Sequence, residues 1–522
     1  MIERNNGLML FGDFEELHNR IAGDRNNFRE NVGKIKASFL RGENIRLIIG
    51  ASRYNLRRLN KIAEFSMSLL GKDINLDSVT FKVFPVNTII QNFTKYVEEV
   101  KSHIDSKRID IILYDEELMN ILKSVSSYAQ AEPQSARKLL RLLGVICEEV
   151  FIGPQTIVFD PFHRCNVKCK HCWVHTPAVK HPREFLDRKF DFEIFKKIID
   201  DASDMNTDGV IFQGDGEPLM YSKFMPMLRY ARDKKLEVSF FTNGILFTEE
   251  KAEEIIELGV KELYCSLPAG TAQTYEKIVT TQPAETFYKI KNNLEKFMVL
   301  RRRSGKDRPR LIMTHVIHTM NCHELIDMAV TDAQIASDAV RFYLIRLDSR
   351  NGFLRLSPVE VEMIKKQIKM AAEILKSKNI EFVDNIDFQL LHYDKDTGAW
   401  SKDFFLGQGC IIGWYFNLIP AKYDMSFCCH LRTVGYLDKQ SFRDAWDSID
   451  YWRWRKQAKF LRYNTNASFF NGQLMYDEHC DHCDNHQMII AVLDDLRKYG
   501  LYKYYNTPDK IDAGACLDEQ KA

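Results

Sequence analysis

Between about residue 155 and residue 378 the chain repeats one unit six times: a short β-rich run, a turn, and a stretch with helical periodicity. The runs lie at 156–162, 209–213, 237–242, 262–267, 311–317 and 339–345. Between the first two, Phe195, Ile198, Ile199 and Ala202 fall at i, i+3, i+4 and i+7, the stripe of an amphipathic helix. Strands that alternate with helices and lack hairpin turns pair in parallel, and right-handed crossovers place every helix outside the sheet. The fold class predicted is therefore α/β, a parallel sheet curled into an open, partial (β/α)6 barrel. In barrels of this kind chemistry sits at the carboxyl ends of the strands.

The flanks read differently. Within residues 1–130 the runs 45–49, 79–84 and 109–113 alternate with helical stretches, which predicts a small α/β domain with its own parallel sheet. Gly50-Ala51-Ser52-Arg53 after the first run is not the glycine fingerprint of a dinucleotide site, so an accessory or recognition role is expected there. Residues 131–154 form the connector, with a helix predicted over 135–145. Residues 379–522 are poor in regular pattern yet hold five cysteines between Cys410 and Cys483. A region of that kind leans on metal for its stability.

Charge narrows the partners. Lysine and arginine total 73 against 72 acidic residues, a formal charge of +1, so no global field recruits nucleic acid or an anionic membrane. The basic run Arg301-Arg302-Arg303 to Arg310 falls before the fifth barrel strand, away from the expected chemistry, and reads as a solvated helix end. The first residues lack the long apolar core of a secretory signal, and no later stretch reaches the roughly 18 apolar residues that span a bilayer. A cytosolic location is expected, where thiols stay reduced. The 12 cysteines then point to metal before disulfides.

Directly after the first barrel run stands Cys165-Asn166-Val167-Lys168-Cys169-Lys170-His171-Cys172, a C-x3-C-x2-C spacing. Three thiolates on one loop hold three irons of a [4Fe–4S] cube and leave the fourth without a protein ligand. A structural zinc knuckle, with His163, His171 or His175 as fourth ligand, is the competing reading. The run resembles the signature of the radical S-adenosylmethionine superfamily. That resemblance implies that S-adenosylmethionine chelates the free iron through its amino and carboxylate groups. Electron transfer to the sulfonium then yields a 5′-deoxyadenosyl radical that abstracts a substrate hydrogen.

Further motifs resemble the family in the same order. Gly214-Asp215-Gly216-Glu217-Pro218 after the second run is similar to the segment that holds the methionine amino group. Thr242-Asn243-Gly244 after the third resembles a turn near the cofactor. Ser266 on the fourth stands where a hydroxyl reaches the ribose, and Asn321 after the fifth matches an asparagine near the same ligand. Thr242 and Cys265 serve equally well as barrel packing. The family's carboxylate-binding arginine has no counterpart in Tyr275–Thr281, where Lys277 offers only a point charge. Arg346, after the sixth run, faces either pocket or solvent.

The late cysteines form a second set. Cys410, Cys428, Cys480 and Cys483 supply four thiols, the number that fully coordinates a cube, with Cys429 the neighbouring alternative to Cys428. With Gly413-Trp414, Gly435-Tyr436-Leu437, Phe442 and Trp446 they resemble the auxiliary-cluster extension called SPASM or, when shortened, Twitch. The resemblance implies one auxiliary [4Fe–4S] cluster, and zinc on the same thiols is the alternative. Cys147, Cys322 and Cys516 read as ordinary thiols.

The resemblance implies an enzyme that uses S-adenosylmethionine and a reductant such as flavodoxin or ferredoxin to modify or mature a peptide or protein. Radical oxidation or epimerisation of a small molecule, such as a sugar or antibiotic precursor, is the alternative. A non-catalytic iron–sulfur or zinc protein is the reading from outside enzymology.

Overall fold

The computed structural model describes residues 133–505 except 470, together with four strands and a few helical residues nearer the N-terminus. Those strands, β1 (Gly7–Leu10), β2 (Ile45–Ala51), β3 (Val79–Pro85) and β4 (Ile109–Ile111), form a parallel sheet in chain order. The three strands expected from sequence are present and β1 adds a fourth. The helical stretches expected between them lie outside the described residues, as do Cys516 and the Cys147 side chain.

All six barrel strands form: β5 (Thr156–Phe159), β6 (Gly209–Phe212), β7 (Glu237–Thr242), β8 (Glu262–Ser266), β9 (Arg310–Ile317) and β10 (Ala339–Leu344). Each pairs in parallel with its chain neighbour. The sheet stays open, because β5 and β10 do not pair with each other. The helix Phe192–Asp204 buries the predicted stripe Phe195, Ile198, Ile199 and Ala202 against it, and its first turn is capped by the Asp191 carboxylate. Rings of Phe159, Phe190, Phe195, Phe212, Phe224 and Phe240 follow one another with centroids 5.1–5.9 Å apart. They lock β5, β6 and β7 to the outer helices, each buried ring being worth about 1.5–3 kcal/mol.

Both edges of the barrel sheet are extended. β11 (Glu381–Asp384) adds in parallel to β10. At the other edge β12 (Phe416–Ile419) pairs in parallel with β5, and β13 (Asp424–Ser426) and β14 (Thr433–Tyr436) continue it antiparallel. One ten-stranded sheet therefore runs from the barrel into the cysteine-rich region. Buried Glu148, after the helix Pro133–Cys147, takes Lys456 at 3.0 Å and Lys459 at 3.1 Å from the helix Ile449–Lys459. Trp414 and Trp446 donate to the carbonyls of Glu149 and Ile152.

The basic run is only partly solvated. Arg302 and Arg303 are exposed, whereas Arg301 is buried and grips Asp338 through two nitrogens at 2.5 and 2.8 Å. Arg308 and Arg310 pair with Glu237 and Glu381. The cations staple the amino-terminal end of the barrel. Among the described residues no helix is long and apolar enough to cross a membrane.

Candidate functional site

The loop 165–172 leaves β5 at its carboxyl end and is held from three sides. On the first side, Gly216 lets the chain pass, since a Cβ there would overlap the carbonyl oxygens of Phe162 and Arg164. Glu217 N donates to the Arg164 carbonyl at 2.9 Å. On the second, Asn243 Nδ2 donates to Asn166 Oδ1 at 2.7 Å. On the third, Cys169 forms a β-bridge with Val279, Lys170 N donates to Ile278 O, Thr280 N to Lys168 O, and Gln282 Nε2 to Asn166 O. The stretch after the helix Ala272–Ile278 is thus a clamp on the cysteine loop. Lys277 in that helix is exposed.

Cys165, Cys169 and Cys172 share this loop closely enough that each thiolate disfavours another. Burial pushes the Cys165 thiol up to about 12 and raises Cys169 and Cys172 as well. Without a cation such a site keeps its protons, and a metal supplies the missing counter-charge. Cys172 Sγ already accepts from the backbone N–H of His175 at 3.1 Å and of Val174 at 3.4 Å. His163 and His175 are engaged elsewhere, whereas His171 Nδ1 is buried without a hydrogen bond among the described residues. His163 Nε2 lies 3.0 Å from Asp160, His175 Nε2 donates to the His163 carbonyl at 2.7 Å, and the His171 ring packs 5.5 Å from that of His318. The donor set fits an iron–sulfur cube held by three thiols.

The other barrel residues singled out in the sequence are mostly tied into the barrel rim. Glu217 is buried: Oε1 accepts from Leu219 N and Thr242 Oγ1, and Oε2 from Asn243 N. Its carboxylate joins the ends of β6 and β7. Thr242 Oγ1 also accepts from Gly244 N, and Gly244 has a positive φ of 77° where a Cβ would crowd Ile290 and Cys265. Cys265 therefore faces the outer helices. Ser266 and Thr314 sit with hydroxyls 3.2 Å apart, and Thr314 donates to the Cys265 carbonyl, so the Ser266 hydroxyl donates to Thr314 and keeps its lone pairs free. Asn321 is fully buried, accepts from His318 N, and donates to the carbonyls of Pro268 and Val316. Gly214 and Asp215 lie against Asp160, whose Oδ1 accepts from Asp215 N at 3.0 Å. Burial raises Asp160 to about 7; burial and the facing Asp160 raise Asp215 too.

The second thiol set hangs on two turns. The β13–β14 hairpin tip carries Cys428, Cys429, His430 and Arg432, closed by Phe427 N donating to Arg432 O at 2.8 Å, with Leu431 at a positive φ of 53°. The short helix Glu478–His482 presents Cys480 and leads into Cys483, whose N–H donates to Ser401 Oγ. Arg432 donates to Cys428 Sγ at 3.5 Å and Cys480 Sγ at 3.3 Å. Cys410 is close enough to Cys428 and Cys480 for their charges to raise its thiol, after burial. Cys429 has different neighbours: Cys483 donates to it, and Cys429, His430 and Cys483 bring ligand atoms within 4.8 Å of one another. Five buried or half-buried thiols in one pocket fit a second cluster.

Arg346 points inward. Its guanidinium lies over the Trp173 ring and donates to His430 Nδ1, joining the first loop to the hairpin tip. Arg350 adds a hydrogen bond to the Trp173 carbonyl at 2.6 Å. Sequence reasoning did not single out Trp173, Arg350, Arg432 or the 278–282 clamp; an aromatic beside the third cysteine was the one available signal.

Residues 160–329 match the Radical SAM superfamily. Over 179 residues the chain is 30% identical to the tungsten-containing aldehyde ferredoxin oxidoreductase cofactor-modifying protein of Pyrococcus furiosus, covering 34% of this chain and 48% of that protein. Over 325 residues it is 24% identical to the PqqA peptide cyclase of Bradyrhizobium diazoefficiens, covering 60% of this chain and 76% of that one. Streptococcus suis SuiB bound to S-adenosylmethionine aligns with a TM-score of 0.47 at 15% identity, over 66% of this chain and 79% of that chain. The match thus spans about half the length of the first relative and three quarters of the second. The matched segment opens at the end of β5, takes in the three-cysteine loop and runs through β9, so it is this part of the chain that is similar to the radical SAM superfamily.

Proposed function

We propose that this chain is a radical S-adenosylmethionine enzyme that modifies a peptide or protein. The observation that carries the reading is the loop of Cys165, Cys169 and Cys172 at the barrel mouth, with His163 paired to Asp160 and His175 donating to the His163 carbonyl. A [4Fe–4S] cluster and S-adenosylmethionine bound there supply one-electron cleavage of the sulfonium and a 5′-deoxyadenosyl radical for hydrogen abstraction. The chain's own part is placement. The 278–282 clamp, Gly216 and Asn243 fix the loop, while Ser266 and the Gly214–Glu217 backbone line the space beside it for the ribose and the methionine amino group.

Cys410, Cys428, Cys480 and Cys483 are assigned to an auxiliary [4Fe–4S] cluster of the Twitch type. The chain works in the cytosol, where a flavodoxin or ferredoxin supplies electrons. The peptide reading is supported by the PqqA peptide cyclase, a relative named for a peptide substrate. A small-molecule substrate is the second reading, favoured by the parallel β1–β4 sheet, which is not the winged helix that often grips leader peptides in this superfamily.

The test is anaerobic reconstitution followed by reduction with dithionite in the presence of S-adenosylmethionine. Wild type is expected to hold about eight irons per chain and to release 5′-deoxyadenosine, and Cys172→Ala to release none. A fully loaded wild type that makes no 5′-deoxyadenosine overturns the enzymatic reading.

A further inference from the structure

The hairpin tip sends one strong cation into the second thiol set. Arg432 is 4% exposed, and its two terminal nitrogens reach Cys428 Sγ and Cys480 Sγ at 3.5 and 3.3 Å. Its one carboxylate partner among the described residues is Asp477 at 2.8 Å, which also accepts from His479 N. Nε is buried and makes no hydrogen bond among the described residues. A buried cation with a single half-shared counter-ion is costly unless more negative charge arrives beside it. Nothing in the mechanism of the first loop uses it.

The position follows from the fold. Leu431 takes a left-handed conformation between His430 and Arg432, and the Phe427–Arg432 hydrogen bond closes the tip, so Cys428 and Arg432 leave it on the same side. Cys480 comes to the same guanidinium from the helix Glu478–His482, which Asp477 caps. A planar fork donates to two sulfurs at once, which an ammonium cannot reproduce.

Resting on the auxiliary-cluster reading above, we propose that Arg432 sets the reduction potential of that cluster, by donating to two of its ligand sulfurs and offsetting the charge it gains on reduction. A four-thiolate cube becomes more negative by one electron when reduced, and hydrogen bonds and net charge at its sulfurs are the protein's main levers on its potential. Arg432 favours the reduced state, and Asp477 moderates it by drawing part of the guanidinium charge away.

The experiment is an EPR-monitored redox titration of full-length, anaerobically reconstituted chain, with dithionite as electron donor and Cys172→Ala as background so that only the second cluster is read. Arg432→Gln is expected to lower the reduced-to-oxidised ratio at fixed potential at least tenfold, a negative shift of about 59 mV for one electron. Arg432→Lys falls between, and Asp477→Asn shifts the midpoint the opposite way. Unchanged midpoints in Arg432→Gln and Asp477→Asn with full iron content overturn the inference and leave the cluster assignment standing. Should Arg432→Gln fail to take up iron, unchanged midpoints in Arg432→Lys and Asp477→Asn overturn it equally. About four irons and one zinc in wild type overturn the cluster assignment itself, and the inference with it.

Discussion

Arg346 stands with its guanidinium carbon 5.3 Å from the centroid of the Trp173 ring while donating to His430 Nδ1 at 2.9 Å. One side chain from the end of β10 thereby spans the space between the two thiol sets. Arg346→Ala is expected to cost about 1–2 kcal/mol, the sum of a partly desolvated cation–π contact and a hydrogen bond. Arg346→Lys should recover less than half, because the planar stack is lost. Denaturant unfolding of the reconstituted protein measures both.

The glycine at 216 is where the cysteine loop crosses the rim. Gly216→Ala would drive a methyl group into the Phe162 and Arg164 carbonyls and push the loop off its clamp. Iron is expected to fall from about eight to about four per chain, with the second thiol set still loaded and 5′-deoxyadenosine formation lost. Iron analysis together with product chromatography distinguishes this from global unfolding, which would empty both sites.

The vicinal pair at the hairpin tip differs in its neighbours. Cys428 shares Arg432 with Cys480, whereas Cys429 receives a hydrogen bond from Cys483 and sits beside His430. Cys428→Ala is expected to remove the second cluster, about four irons, and Cys429→Ala to retain it. A zinc ion on Cys429, His430 and Cys483 would reverse the pattern, and metal analysis of the two variants decides.

Asp160 gives a pH signature. Its carboxyl rises from an ordinary 3.8 to about 7 in the folded chain through burial, so the native state holds this proton more tightly than the unfolded chain. Stability contributed by the protonated form is complete below about pH 4 and is lost as pH climbs to about 7, by at most about 4 kcal/mol. Asp160→Asn keeps an acceptor for Asp215 N and cannot ionise. Between pH 4.5 and pH 7, bounds set by that shift, the apo variant's thermal midpoint should fall less steeply than wild type; parallel slopes would show that Asp160 carries no such proton.

The barrel was legible because its strands are apolar runs that survive alone as patterns: Gly209–Phe212 and Glu237–Thr242 fall on the expected residues. β11 and β13 were not, since Glu381–Asp384 and Asp424–Ser426 are short, end in or begin with acids, and exist only because a neighbour offers an edge. The three-cysteine loop was legible by spacing, but its clamp from 278–282 mixes backbone bonds with side-chain bonds from Thr280, Thr281 and Gln282 to backbone groups of the loop, a pairing that no spacing rule marks. The sequence led to the expectation that Glu217 and Asn321 belong to the site. It could not show that their polar atoms are largely taken up by Thr242, Asn243, Pro268 and Val316.

The pairing of β12 with β5 has a consequence for how the chain is made. Synthesis proceeds from the N-terminus, so β5 emerges early and its outer edge stays unsatisfied until residues 416–419 arrive from far downstream. Throughout that interval the nascent barrel offers a bare row of N–H and C=O groups to any passing strand. A fragment ending near residue 378 would keep that edge permanently, which makes it an aggregation hazard rather than a minimal enzyme.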